Sequence, residues 1–450
     1  MSSQLTSYPA YKPTGLPWLP QIPEHWETIK IRELFVERNQ KVSDKDYPPL
    51  SVSKGGVVPQ IASVAKTDNG DNRKLVMAGD FVINSRSDRK GSSGVSEHEG
   101  SVSLINLVLK PRTARDKRFL HYLLKSLPFV EEFYRNGRGI VADLWTTRYS
   151  EMKTISLPIP MPDEQTQIVR YLDSMTAKIN KQIRAKKKQI ALLQEQKQAI
   201  INQAVTKGLN PNAEMKDSGI DWLGKIPKLW SVKFFSKVAS IKSNLVRPED
   251  YYDYPQVSPE KIEKNTGRLF PVSSVRDSGI ISNNHLFFKG QILYSKIRPL
   301  LNKLAIAPFD GLCSADMYPI ETILNTEYLK FFMLSSWFLY QIKQSGDRVK
   351  MPKINQQEMA KLLIVVPSNC EQEDIVHDIR NRWEKIDNIL RSLEEEIKTL
   401  EEYKDSLISA VVAGQIDVRN IPVDDFDPAD LVSETEDDPE EENSTEENEG

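Results

Sequence analysis

Between Ile168 and Val205 the chain has no proline and no glycine, and apolar residues return at Leu172, Ile179, Ile183, Ile190, Leu193 and Ile200. Spacings of seven, four and three place these side chains on one stripe of an α-helix, a heptad seam. Thr176, Lys186 and Lys197 interrupt it. A second seam is cleaner: Ile379, Trp383, Ile386, Leu390, Leu393, Ile397, Leu400 and Leu407, with Lys404 as its one charged intruder at the position that Lys197 holds in the first. Each seam covers about 40 residues, so each helix should extend ~60 Å at ~1.5 Å per residue. A helix with a whole apolar stripe in water is not stable alone. Pairing the two antiparallel satisfies both stripes; two separate homodimeric coiled coils are the alternative.

The segments around these helices repeat as well. Gly15, Trp18, Leu19, Ile22, Pro23 and Trp26 recur as Gly219, Trp222, Leu223, Ile226, Pro227 and Trp230, an offset of 204 residues. Ile159-Pro160, Glu164-Gln165 and Ile168-Val169 return as Val366-Pro367, Glu371-Gln372 and Ile375-Val376, an offset of 207, each set opening a long helix. Pro162, Asp163 and Glu164 suit a first helical turn, where amides lack partners and the dipole is positive. Gly208, Asn210 and Pro211 stop the first long helix. Ahead of each helix lies mixed patterning: a strand-like run Gly79–Asn84 and a helical run Phe119–Lys125, answered by Gly290–Ser295 and Tyr328–Leu334. The fold class is therefore α+β, a pseudo-twofold internal repeat of two similar globular units separated by two long antiparallel coiled-coil helices. The expected boundaries are 1–160 and 210–365 for the globular units, 161–209 and 366–416 for the helices, and 417–450 for an acidic disordered tail.

The formal net charge of −3 hides a split. From Asp424 onward there are 14 acidic residues and no basic one, which leaves 60 basic against 49 acidic residues in the body. A basic body is compatible with nucleic acid, whose phosphates dominate affinity. The segment from Val432 is too poor in apolar residues to fold. Cys313 and Cys370 form no metal-binding spacing and the five histidines stand singly, so free thiols in a reducing compartment and no metal are expected. The N-terminus has no signal-peptide pattern, and no window approaches 18 uninterrupted apolar residues, so a cytoplasmic protein without a membrane role is expected.

The block Ala204–Pro211 followed by Lys216–Pro227 resembles the joint between the halves of Type I restriction–modification specificity subunits, and Leu157–Asp173 is similar to the start of that family's first spacer helix. The likeness covers roughly residues 8 to 418. It implies that the globular units are target-recognition domains, each reading one half of a split sequence in double-stranded DNA, and that the helices act as a ruler. It also implies that the seam residues serve two methyltransferase subunits, which carry S-adenosylmethionine and methylate adenine at N6. Endonuclease/translocase subunits using ATP and Mg would complete the assembly, and this chain would bind no cofactor. The acidic tail departs from the family.

The residues agree that catalysis lies elsewhere. The one Pro-Pro pair, Pro48-Pro49, lacks the polar and aromatic flanks of an amino-methyltransferase motif, and no phosphate-binding Gly-x-x-x-x-Gly-Lys-Ser/Thr loop is present. Sequence readout calls for long polar side chains on loops backed by a rigid core. In the first unit the candidates are Asn84, Arg86, Arg89 and Lys90, then Arg135 and Arg138, then Arg148. In the second they are Lys296, Arg298 and Lys303, then Lys343, Arg348, Lys350 and Lys353. Trp18, Trp26, Trp222 and Trp230 are expected to clasp the start of each unit rather than stack on bases. The rival classes are a coiled-coil scaffold with protein-binding ends and no DNA role, and the recognition subunit of a combined methyltransferase–nuclease system.

Overall fold

The computed structural model describes residues 6–60, 70–112, 117–139, 145–345 and 353–431. The chain divides into two compact units, Met1–Lys187 with Glu394–Gly450, and Lys188–Leu393. The long helices, Pro162–Lys207 and Asn369–Val412, each contribute to both.

In the first unit an antiparallel sheet takes the order Ser93–Val95, Phe81–Asn84, Asn106–Pro111, Phe35–Glu37, and a smaller one the order Gly100–Val102, Arg73–Val76, Lys41–Val42. All four residues of Phe81–Asn84 are buried, as a central strand with two covered faces requires. Helices Lys117–Lys125 and Leu127–Arg135 add Phe119, Leu123, Phe129 and Phe133 to the core. The second unit repeats the plan: its larger sheet runs Leu304–Ile306, Ile292–Ser295, Met317–Thr322, Ala239–Ile241. Its second sheet, built on Asn284–Phe287, gains one parallel strand, Gln256–Val257. Both units are thus α+β with the same strand order.

Each unit fastens a long helix through the recurring tryptophan. Strand Glu27–Lys30 pairs with Ser156–Ile159, which leads directly into the first long helix; Ser231–Phe234 pairs with Leu363–Val366 ahead of the second. This ribbon brings the first-turn carboxylate back over the residue that precedes the strand. Trp26 Nε1 donates to Glu164 Oε1 at 3.0 Å, and Trp230 Nε1 donates to Glu371 Oε1 at 2.9 Å, with both indoles buried. The following glutamines repeat too: Gln165 and Gln372 donate to the carbonyls of Pro160 and Pro367. Two more partners hold Glu164 in the first unit, the Tyr8 hydroxyl at 2.7 Å and His25 Nε2 at 2.8 Å. The end of the other long helix closes over the same ring. Gly414, at φ +72°, packs so closely on Pro23 and Trp26 that a Cβ there would lie 2.4 Å from Pro23 Cδ. Gly208 sits likewise against Trp230.

Within each unit the long helices pair antiparallel. In the first, Asn180 meets Lys404 at 3.3 Å and Lys186 forms an ion pair with Glu396; in the second, Lys197 meets Asp387 at 2.6 Å. Leu172, Ile179, Ile183, Ile379, Ile386, Leu393 and Leu407 are buried, and Ile190, Leu193, Ile200, Trp383, Leu390, Ile397 and Leu400 are half-buried. The lysines that interrupt the seams each have a partner, and Lys197 also lies 4.1 Å above the Trp383 ring.

The stretch from Asp417, expected to open a disordered tail, is ordered as far as Leu431. Val418 is buried in the first core, with Ile421 and Val423 packed against it, so this part of the chain carries enough apolar surface to be held. Residues 432–450 lie outside the described residues.

Replacing Trp230 by phenylalanine removes a charge-assisted bond and should cost about 2 kcal/mol at neutral pH. Burial alone would raise the Glu371 pKa, but the Ser368 hydroxyl, the Trp230 indole and the Ser368 amide outweigh it and hold the carboxyl below its ordinary value. A depressed folded-state pKa contributes stability above the unfolded value of ~4.3 and loses it as pH falls through the folded one. Thermal unfolding of wild type and W230F should therefore converge at acid pH; a penalty independent of pH would contradict this account.

Candidate nucleic-acid interface

In the first unit three separate stretches meet at one end of the larger sheet. The strand Phe81–Asn84 turns into Ser85–Lys90, whose backbone is tied to Trp145–Thr147: the Thr147 amide donates to Ser85 O at 3.0 Å and the Ser87 amide to Trp145 O at 3.2 Å. Arg138 and Thr146 exchange two backbone bonds of 3.0 Å, which brings in the loop after helix Leu127–Arg135. Trp145 donates its indole N–H to Tyr134 O at 2.7 Å and so closes this junction. A Cβ on Gly137 would lie 2.4 Å from that indole nitrogen, which explains the glycine between Asn136 and Arg138.

The candidate side chains differ in what they can offer. Asn84 is buried; its Oδ1 accepts the Arg86 amide at 3.0 Å and its carbonyl accepts the Tyr134 hydroxyl at 2.9 Å, so it shapes the turn. Arg135 makes a two-pronged pair with Glu132 at 2.7 and 2.8 Å, and Lys90 meets Glu131 at 2.6 Å. Arg86 and Arg89 are half-buried. Arg138, with 85% of its side chain exposed, lies 3.9 Å from Glu151. Arg148 is exposed beside the short helix Tyr149–Met152.

Arg86 and Arg148 line a cleft of about 620 Å³ together with Thr146, Thr147 and two cations not foreseen from the sequence, Lys74 and Lys153. Lys74 is buried, with its Nζ 2.9 Å from Asn106 O and 3.3 Å from Glu37. Two adjacent cations opening the strand Arg73–Val76, ahead of Leu75 and Val76, were the available signal for it. Lys153 offered none, because one lysine near a helix end resembles any solvated charge.

The second unit builds the same junction. The Ile354 amide donates to Lys296 O at 3.0 Å, and the Ser295 amide to Lys303 O at 2.9 Å, which brings Lys296, Lys303 and Lys353 together. Lys296 reaches the Ala315 carbonyl at 2.6 Å, and Lys353 lies 3.5 Å from Asp316. Arg298 is exposed at φ +45°, a left-handed backbone that costs a non-glycine residue ~1–3 kcal/mol. Asn302, at φ +46° and fully buried, steadies that turn by donating to Met333 O at 3.0 Å. Lys343 is exposed on helix Ser336–Ser345, while Arg348 and Lys350 lie outside the described residues. Below the junction His285 is buried, its pKa lowered by burial and by the charge of Lys296, and its Nδ1 has no hydrogen-bond partner among the described residues. Among the described residues no cluster of three His, Cys, Asp or Glu side chains could hold a metal ion, and no helix is long and apolar enough to cross a membrane.

Two α+β units that each carry a cationic loop junction and share two long helices define a class with known members. The sequence model of the Type I restriction modification DNA specificity domain matches residues 23–190 and 227–401, and the chain belongs to that family. It is 29% identical over 420 residues to the Type I restriction enzyme EcoDI specificity subunit of Escherichia coli, covering 88% of this chain and 90% of that protein. A solved structure from work on complex assembly and conformational transition of the type I R-M system has a similar fold, with a TM-score of 0.58 at 12% identity, covering 87% of this chain and 98% of that one. The family is that of non-catalytic DNA-specificity subunits of Type I restriction–modification complexes.

Tyr134→Phe deletes the bond that ties helix Leu127–Arg135 to the Asn84 turn. It should cost about 1 kcal/mol and speed amide hydrogen exchange in Ser85–Ser92, while exchange in the second unit stays unchanged.

Proposed function

We propose that the chain reads a bipartite double-stranded DNA target, one half with each globular unit, and directs partner subunits to it. The observation that carries this reading is the junction built twice on the same strand order, with exposed cations on the loops around each: Arg148 and Arg138 in one unit, Arg298, Lys343 and Lys353 in the other. Exposed arginines suit base edges or phosphates, whereas Arg135 and Lys90, already paired with carboxylates, suit orientation of their loops. The left-handed Arg298 fits this role, since backbone strain gathers where a ligand is clamped. The two methyltransferase subunits would sit on the long helices and supply S-adenosylmethionine; endonuclease/translocase subunits would bring ATP and Mg. The setting of this chemistry is the cytoplasm.

The test is sequencing of N6-methyladenine in the genome of cells that express the methyltransferase partner with and without this chain. The expected result is a split motif methylated only when the chain is present. A variant with seven residues inserted in both long helices, near Gln182 and Leu390, should move the half-sites apart by up to ~10 Å, about three base pairs. An unchanged gap in an intact complex would remove the helices from the role of ruler, and methylation indifferent to the chain would remove the DNA reading altogether.

A further inference from the structure

We infer that the exposed face of the second long helix formed by Asn381, Lys385 and Arg391 is a docking surface for an acidic segment of a partner protein. The repeat supplies the argument, because this chain already places such a segment on the matching face of the first long helix. Residues 417–431 run along that helix in its own direction. Gln167 Nε2 donates to the carbonyls of Val418 and Ile421 at 3.1 and 3.0 Å, the Ser174 hydroxyl to that of Asp424 at 3.1 Å, and Asn180 Nδ2 to those of Asp430 and Leu431 at 3.2 Å. Two ion pairs set the register: Lys178 with Asp424 at 2.6 Å, and Arg184 with Asp430. Positions six apart carry the cations and positions six apart carry the acids, so the strap, compacted by the turn Pro428–Leu431, matches ~9 Å of helix between its two carboxylates.

An offset of 207 residues carries Ser174, Lys178 and Arg184 onto Asn381, Lys385 and Arg391. Both cations and one amide or hydroxyl donor are kept with their spacing. What differs is the cover: Ser174 is 2% exposed and Arg184 half-buried, with Lys178 exposed beside Asp424, while Asn381, Lys385 and Arg391 are all exposed. Neither Lys385 nor Arg391 has an ion pair among the described residues; Arg391 donates to Asn388 Oδ1 at 2.5 Å, within its own helix. At the places of Gln167 and Asn180 stand Asp374, which is exposed, and Asp387, already engaged by Lys197, so docking rests on the three donors named. The strap cannot itself serve as the occupant, because Val418 anchors its stem in the first core. The family-model match ends at residue 401, so the strap lies beyond it, while the helix faces it bears on lie within the matched residues 23–190 and 227–401.

The probe is a synthetic peptide of residues 417–431, titrated into the full chain at low salt and followed by fluorescence anisotropy, with neither DNA nor methyltransferase present. Saturable binding in a 1:1 ratio is expected, weakened about tenfold or more by Lys385→Glu with Arg391→Glu, and likewise by asparagine at both Asp424 and Asp430 of the peptide. Lys178→Glu with Arg184→Glu, on the occupied face, should leave peptide binding unchanged. If reversal at 385 and 391 disturbs the fold by circular dichroism, Lys385→Gln with Arg391→Gln provides the same comparison. Absence of saturable binding, or binding indifferent to both 385/391 variants, overturns the inference. So does a dimer of the full chain that these substitutions dissolve, since the occupant would then be a second copy.

Discussion

A carboxylate held against a buried indole in the first turn of each long helix is the contact on which the remaining architecture depends. Glu164 and Glu371 bring three needs together. Each lies at the positive end of a helix dipole, where unpaired amides favour negative charge. Each satisfies an indole N–H that would otherwise be buried without a partner, and each fixes the rotation of a helix of more than 40 residues about its axis. Rotation is the decisive quantity, because a seam turned by one residue, about 100°, would point its stripe at water. The glycines that end the opposite helices against the same rings make each tryptophan the meeting point of one helix start and one helix end.

The seams themselves are economical rather than deeply packed. Their middle positions, Ile190, Leu193, Leu390, Ile397 and Leu400, are only half-buried, as two helices without a third must leave them. Lysines inside such a seam are tolerated because their stems lie along the apolar stripe while their ammonium groups find a carboxylate, an amide oxygen or an aromatic face. Polar interruptions of this kind weaken a pair of helices and specify its register, the trade best attested in coiled coils.

The repeat also shows where the two halves part company. The loop junctions share their backbone bonds but not their side chains: a buried lysine beside Glu37 lies below one, and a buried histidine beside Lys296 below the other. Shared backbone wiring with exchanged polar groups gives one scaffold two chemically different surfaces. The strap of residues 417–431 is the second asymmetry, and it exists because the chain continues past the second long helix with enough apolar residues to be captured.

Much of this was legible in the sequence. Heptad spacing, helix-stop residues and the duplicated tryptophan, proline and glutamate motifs determined the two long helices, the order of parts and the α+β class, since all rest on local periodicity or on direct repetition along the chain. The stretches Ser85–Lys90, Arg135–Arg138 and Trp145–Arg148 could also be picked out by composition. What the sequence could not decide is which of their cations remain available. Arg135 and Lys90 look the same as Arg148 in one dimension, yet Glu132 and Glu131 claim them, and Asn84 spends its amide on its own turn. Lys74 and Lys153 reach the cleft only because strands and loops distant in sequence close around it. The seat of residues 417–431 was likewise hidden, because it is set by Gln167, Ser174, Asn180 and Arg184, some 250 residues away. Local pattern fixes the elements; which charge meets which carboxylate depends on long-range packing, and only the tertiary structure decides it.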